Sequence, residues 1–401
     1  MKKDFLVTVI GIAVGQFLLF ILTPVLTRMY SPEVFGRYSG LIAIASIIAT
    51  IASLRLEVAI PSALEEHVLP LFEFALFTPV VICPVITVLL YSCKNYFLFL
   101  AAYLHDIPYW SICLLSILQG MVAVVLALCT RQGLFAQGAA IRIAQPLGFG
   151  IAAVTKLASL NTSLILGWVM GCLASLILLK KNILSFSVIK SCRITKNYWR
   201  YPLLSMPVAL LDTTAVALPV IFIIAYFGDG EAGRYSQIQR LLGSPMILGG
   251  MAIGQVFYKY AGDLHRNQKN IIPLIGKVIA VLSLGASVLF FFVIIMGKTA
   301  LSFILGSKWT METNFILVAV VPILVRMVVS PVSSVFLVVQ KLDWLALWQT
   351  SYFLVTITVF VIFRYSGNIT KILLYYACSE TIMYGLYLLL AIVAVRKQQY
   401  Q

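Results

Sequence analysis

Charge is what this sequence has least of. Only 11% of its 401 residues are Asp, Glu, Lys or Arg, where a soluble domain carries roughly 25%. Acidic residues are the scarcer sign, 14 against 29 Lys and Arg. Histidine is rarer still, with only His67, His105 and His265. No H-E-x-x-H, no C-x-x-C and no metal-spaced His/Cys cluster occurs, so neither a metal nor a cofactor is expected. The seven cysteines are an odd number and most lie in apolar runs, where they read as small core residues. Gly297-Lys298-Thr299 ends like a phosphate loop, but Phe292 stands where its first glycine belongs. No loop is long enough to hold a folded catalytic domain, so an enzyme is not expected.

Apolar residues are what is there: 61% of the chain is AVILMFWYC. A water-soluble fold of this size cannot hide that much apolar surface. A soluble enzyme, a nucleic-acid binder and a disordered chain are therefore excluded. Runs of 18 or more apolar residues read as membrane-spanning helices, whereas a β-barrel would show short alternating segments. A span needs about 20 apolar residues, and twelve candidates emerge: Phe5–Leu26, Gly36–Ile60, Leu69–Tyr91, Pro108–Leu128, Ala139–Leu160, Ser163–Leu179, Pro202–Phe227, Tyr235–Phe257, Ile272–Met296, Phe315–Val338, Trp344–Phe363 and Ile369–Val395. The fifth is the weakest, with Arg142 and Gln145 near its start. The first is too long for a cleaved signal core and is expected to remain as a span.

The net charge of +15 is first a matter of topology, because basic loops stay on the cytoplasmic side. With the N-terminus inside, 17 Lys and Arg fall on the inner face and 9 on the outer, while Arg55, Arg240 and Arg326 fall within spans. Both termini are thus expected in the cytoplasm. The longest polar stretch, Lys180 to Arg200, mixes six basic residues with Ile183, Leu184, Phe186, Tyr198 and Trp199. It reads either as an amphipathic helix on the inner leaflet or as a plain basic linker.

That stretch lies mid-chain, between two halves that share a sequence echo. Pro24-Val25 in the first run is followed by Gly36-Arg37-Tyr38-Ser39; Pro219-Val220 in the seventh is followed by Gly233-Arg234-Tyr235-Ser236. The offset between the two tetrapeptides is 197 residues. Six spans per half make the halves parallel repeats. The expected architecture is all-α, a polytopic membrane protein with about twelve transmembrane helices in two six-helix bundles. Residues 1–180 form the first, 181–201 a basic cytoplasmic linker and 202–401 the second.

Ionisable groups at membrane depth are the functional signal. Each costs about 2.5–3.5 kcal/mol at mid-span and so normally faces protein or water. Arg326 lies mid-span between Pro322 and Pro331, Asp212 between Pro207 and Pro219, and Glu380 near the middle of the last span. Arg240, Arg142, Arg55 and Glu57 lie nearer span ends, where snorkelling is the alternative. Structural ion pairing is the alternative for the deeper three. The functional reading is a polar pathway between the halves, with Arg326, Arg240, Arg55 and Arg142 holding an anion. Asp212, Glu380 and Glu57 would then couple a proton or serve as counter-charges. Prolines inside spans (Pro24, Pro79, Pro84, Pro207, Pro219, Pro245, Pro322 and Pro331) permit kinks. Gly11-x3-Gly15, Gly167-x3-Gly171 and Gly250-x3-Gly254 permit close helix approach. Ordinary packing explains both features equally well.

The segment Thr27-Arg28-Met29-Tyr30-Ser31-Pro32-Glu33-Val34-Phe35-Gly36 resembles the first loop of Wzx-type O-antigen and capsule flippases of the multidrug/oligosaccharidyl-lipid/polysaccharide exporter superfamily. Leu54-Arg55-Leu56-Glu57, Leu305-Gly306-Ser307-Lys308-Trp309 and Gln340-Lys341-Leu342 fit in order and position. The resemblance covers nearly the whole chain. It implies a transporter of the bacterial inner membrane that flips oligosaccharide units on an undecaprenyl pyrophosphate carrier, for O-antigen or capsular polysaccharide. Its implied partners are that lipid-linked oligosaccharide, membrane lipid, and a polysaccharide polymerase with a chain-length regulator; nucleic acid is not among them. Two other readings compete. A multidrug or toxin cation antiporter of the same superfamily needs acids in excess at depth, and here four arginines face three acids. A membrane-embedded polymerase or ligase needs a sizeable outer loop, and the longest here, Ser92 to Ile107, is short and largely apolar.

Overall fold

The computed structural model describes residues 2–96, 103–104, 107–156, 158–178 and 194–399. Among them every regular element is helical. The fold is that of an all-α, multi-pass membrane protein, and among the described residues each of the twelve apolar runs is mainly helical. Ten helices among the described residues are long and apolar enough to cross a membrane. The other two runs, the fifth and the eighth, are helical but carry too many polar groups to qualify by composition. Gln137, Arg142 and Gln145 dilute the fifth; Asp229, Glu231, Arg234, Gln237, Gln239 and Arg240 dilute the stretch around the eighth. Most of the basic stretch expected as a linker, residues 179–193, lies outside the described residues, and with it the amphipathic-helix reading.

The chain folds into two compact units, Met1–Gly233 and Arg234–Gln401. The first holds α1 (Lys2–Met29), α2 (Pro32–Ala52), α3 (Glu65–Cys93), α4 (Tyr109–Arg131), α5 (Phe135–Val154), α6 (Leu160–Leu178) and α7 (Met206–Phe227). α8 (Asp229–Ile238) begins in it. The second holds α9 (Ser244–Arg266), α10 (Ile272–Leu305), α11 (Thr313–Val329), α12 (Leu342–Phe363) and α13 (Ile369–Gln399).

Local chemistry sets the corners. α2 starts on Ser31 with Pro32 in its first turn, where a missing N–H costs nothing, and Glu33 beside the positive end of the dipole. α7 and α10 stop at Gly228 and Gly306, whose φ values of 86° and 94° suit glycine. Asn368 Oδ1 accepts the N–H of Thr370 at 2.9 Å and so caps α13. The phosphate-loop look-alike Gly297-Lys298-Thr299 lies inside α10, with Gly297 buried.

In the first unit the small-residue motifs work as contact faces. A Cβ on Gly11 would overlap Ala139 of α5, and one on Gly15 would come within 2.9 Å of the Arg142 carbonyl oxygen. A Cβ on Gly167 of α6 would lie 2.7 Å from the Gln145 carbonyl oxygen, and one on Gly171 2.6 Å from Gln145 Cγ. Glycine therefore lets α1 and α6 touch the α5 backbone. In the second unit a Cβ on Gly254 would meet Pro331 at 3.4 Å, again where a helix passes a backbone break.

The prolines mark breaks of differing kind. Pro24, Pro79, Pro84, Pro219 and Pro322 sit inside continuous α-helix. Pro207 and Pro245 follow wide π-turns at Tyr201–Ser205 and Gln239–Gly243. Pro331 lies in a tighter 3₁₀ segment, Ser330–Ser334, that interrupts the tenth run. Outside the spans, Tyr103 is 2% exposed and its hydroxyl donates to the Gly40 carbonyl of α2. Burial pushes this phenol above its usual range, with the Asp229 carboxylate adding to the effect, so it stays a donor.

Candidate functional site

The densest polar constellation among the described residues lies within the second unit. It is built on three helices, each presenting one stripe. α11 carries Arg326 one turn before its end. α12 carries Trp348, Tyr352 and Thr356 at four-residue steps, and α13 carries Tyr376, Glu380, Tyr384 and Tyr387 at steps of four, four and three. Such spacing puts each set on one helix face.

The Arg326 guanidinium grips Glu380 through two bonds, Nε to Oε2 at 3.0 Å and Nη2 to Oε1 at 2.9 Å. Nη2 also donates to the Tyr352 hydroxyl at 2.7 Å and the Tyr376 hydroxyl at 2.6 Å. Tyr352 in turn donates to Glu380 Oε1 at 2.5 Å. Every oxygen of the carboxylate is thereby satisfied, as a buried charge requires. Trp348 stacks on Tyr352 at 5.1 Å between centroids and donates its Nε1–H to the Met383 carbonyl at 2.9 Å. Tyr384 and Tyr387 close on Trp348 edge to face at 5.4 and 4.5 Å. The aromatic shell holds the α12 and α13 stripes in register.

Burial is unequal across the pair. Glu380 is fully buried, while the Arg326 side chain keeps 24% of its surface exposed. Among the described residues no hydrogen bond reaches Arg326 Nη1. The site therefore presents one edge of a guanidinium whose orientation is set from behind. Nearby, Gln239 Nε2 donates to Tyr235 Oη at 3.1 Å and to the Ala319 carbonyl of α11 at 3.3 Å. The wide π-turn at Gln239–Gly243 is thus tied to the helix that carries Arg326.

A second paired site lies within the first unit, after α2. Leu54 and Arg55 both take left-handed φ, 54° and 58°, a conformation that strains non-glycine residues and clusters at functional sites. Arg55 Nη1 pairs with Glu57 Oε1 at 3.2 Å, and Ser53 Oγ donates to Glu57. Arg131 clamps the following turn, through the Pro61 carbonyl at 3.0 Å and Glu65 Oε2 at 2.8 Å. Tyr198 Oη meets His67 Nδ1 at 3.1 Å, anchoring the chain that enters α7.

Of the seven residues singled out in the sequence, four form two pairs, Arg326–Glu380 and Arg55–Glu57. Arg142 is half-buried on α5, Asp212 exposed on α7, and Arg240 half-buried in the π-turn before α9. The sequence reading missed Tyr352 and Tyr376, though the tyrosine one turn before Glu380 was a visible signal. It also missed Glu73, 5% exposed on α3.

These features define a class: a multi-pass, all-helical membrane protein. The chain belongs to the polysaccharide biosynthesis protein family, whose match spans residues 25–314. Solved structures agree on the fold. The lipid II flippase MurJ, in an inward closed conformation, is 13% identical, covering 98% of this chain and 87% of that one, with a TM-score of 0.68. An inward-facing multidrug-resistance MATE transporter of the MOP superfamily is 12% identical over 97% and 99%, with a TM-score of 0.67. A MOP superfamily transporter from Pyrococcus furiosus, described as having a binding pocket of reverse polarity, is 12% identical over 100% and 96%, with a TM-score of 0.59. No curated protein sequence matches the chain.

Proposed function

We propose that the protein flips a lipid-linked oligosaccharide, an undecaprenyl-pyrophosphate-borne repeat unit, from the cytoplasmic to the periplasmic face of a bacterial inner membrane by alternating access. The family supplies the polysaccharide context. The observation that carries the substrate class is the Arg326 edge: a guanidinium braced by Glu380, Tyr352 and Tyr376, with Nη1 left to donate. Such a fork suits phosphate oxygens, which accept paired N–H bonds. Glu380 neutralises the net charge, so the contact works by oriented hydrogen bonds more than by field. Arg55, Arg142 and Arg240 are further candidate contacts along the headgroup's path. Asp212 and Glu57 remain candidates for counter-charge or proton coupling. Residues 1–180 and 202–401 act as the two repeats, joined by the basic linker at 181–201, with both termini cytoplasmic.

One observation weighs against the competing cation antiporter. Glu380, the most deeply buried acid of the set, is wholly enclosed and its oxygens are already filled by Arg326 and Tyr352. A drug cation would have to displace a tethered guanidinium. The test is headgroup flipping in liposomes holding the purified protein. Arg326→Ala together with Arg240→Ala is expected to abolish it, and full flipping by that double variant rejects the reading.

A further inference from the structure

A hydroxyl pair inside the first unit offers the opposite chemistry to the Arg326 guanidinium. Thr50 stands on α2 and Thr213 on α7, and their Oγ1 atoms lie 3.1 Å apart. Thr50 Oγ1 also lies 2.9 Å from the Ser46 carbonyl oxygen, to which it donates. Both threonines are half-buried.

The protons in this short chain can be counted. A threonine hydroxyl has one proton and two lone pairs, and a carbonyl only accepts. The Thr50 proton goes to Ser46. The contact between the two hydroxyls is then a hydrogen bond only if the Thr213 proton points at Thr50. What Thr213 Oγ1 turns away from α2 is therefore lone pairs alone. The pair is an acceptor of fixed direction, held from behind by the α2 backbone. A phosphate oxygen, itself an acceptor, gains nothing from it. A ligand group bearing O–H or N–H does.

The surroundings are open and small. Asp212, the residue before Thr213, is exposed, and so is Val216 one turn after it. Ser46, Ala49 and Thr50 share one face of α2, at steps of three and four residues, and all three are half-buried. A carboxylate exposed at this depth of an apolar run marks water or a polar ligand beside it rather than acyl chain. A saccharide presents the donors that such a wall lacks, on a ring flat enough to lie against short side chains.

We propose that Thr213, oriented by Thr50, accepts a hydroxyl or amide N–H from the saccharide of the carried lipid and so selects the sugar. This rests on the transport reading for the identity of the ligand. Thr213 is the contact residue, and Thr50 is a positioning residue that acts through it.

The test is equilibrium binding to the purified full-length protein in nanodiscs, with two probes. One is undecaprenyl pyrophosphate without sugar; the other is the lipid-linked oligosaccharide extracted from cells that lack this protein. The protein is expected to bind the second at least about tenfold more tightly. Thr213→Val keeps the shape without the hydroxyl. It is expected to remove about tenfold of that preference and to leave affinity for the sugarless lipid unchanged, with Thr213→Ser restoring the preference. Thr50→Val releases the Thr213 proton, so the preference should fall about threefold, and Thr50→Ser should restore it. Full preference in Thr213→Val overturns the proposal, as does an equal loss of both probes or a protein that prefers neither. Should Thr213→Val fail to fold, the two Thr50 variants decide by the same ratio. If the oligosaccharide lipid binds in the expected pattern yet is not flipped in proteoliposomes, the transport reading fails and the subsite stands.

Discussion

At the residue scale the Arg326–Glu380 pair is the most consequential interaction in the second unit. Removing one member of a buried pair strands the other, typically at 3–5 kcal/mol, whereas replacing both by apolar groups is often neutral. Glu380→Gln is expected to lower thermal stability in detergent sharply. Arg326→Met with Glu380→Leu should recover most of it while flipping stays lost. Stability that fails to recover would mean the pair is structural glue beyond its charge. Tyr352→Phe is milder: it deletes the hydroxyl that links Arg326 to Glu380, a loss of about 1–2 kcal/mol. Its mark should be a larger fall in flipping than in stability, because Arg326 loses its brace while the ion pair survives.

At the scale of elements, the α1–α5–α6 trio depends on glycines that no side chain can replace. Gly15→Val would drive methyls into the Arg142 backbone. Overpacking of this kind costs about 1–3 kcal/mol, and the midpoint of thermal unfolding reports it. Gly262 offers the control: a Cβ there meets nothing within 4 Å, so Gly262→Ala should leave that midpoint unchanged or raise it. The corners give the opposite sign. Gln340 is exposed and sits at φ 53° just before α12. Gln340→Gly relieves a left-handed strain and should stabilise by about 1 kcal/mol. The family-like motifs gain a physical meaning here. Tyr30-Ser31-Pro32-Glu33 and Gln340-Lys341-Leu342 lead from one helix into the next, Gly306-Ser307-Lys308-Trp309 follows the end of α10, and Trp309 is 1% exposed.

At the scale of the whole molecule, the flippase reading makes an energetic demand. A pyrophosphate diester moving outward with two negative charges gains about 2.3 kcal/mol per charge at 100 mV, inside negative, or about 4.6 kcal/mol in all. Imposing that potential across proteoliposomes should speed outward flipping, and reversing it should slow it. A rate indifferent to potential would indicate that compensating charge moves with the substrate. The excess of basic residues on one set of loops predicts an active cytoplasmic reporter fused after Gln401.

The sequence by itself determined that this is a helical membrane protein and where its apolar runs lie, and it showed a tetrapeptide that recurs 197 residues further on. Each of those properties follows from local arithmetic: apolar run length against bilayer thickness, and a recurring tetrapeptide. It also exposed Arg326 and Glu380, because a charge inside an apolar run stands out against its neighbours. Only the tertiary structure decided that those two grip each other, since 54 residues separate them and nothing local couples α11 to α13. The same holds for Tyr352 and Tyr376, ordinary aromatics in sequence until packing aims their hydroxyls at one guanidinium. Arg55 and Glu57, two residues apart, were read as span-end charges; a left-handed turn turned them into a pair. Polarity is written residue by residue, whereas which polar groups meet depends on how the helices pack.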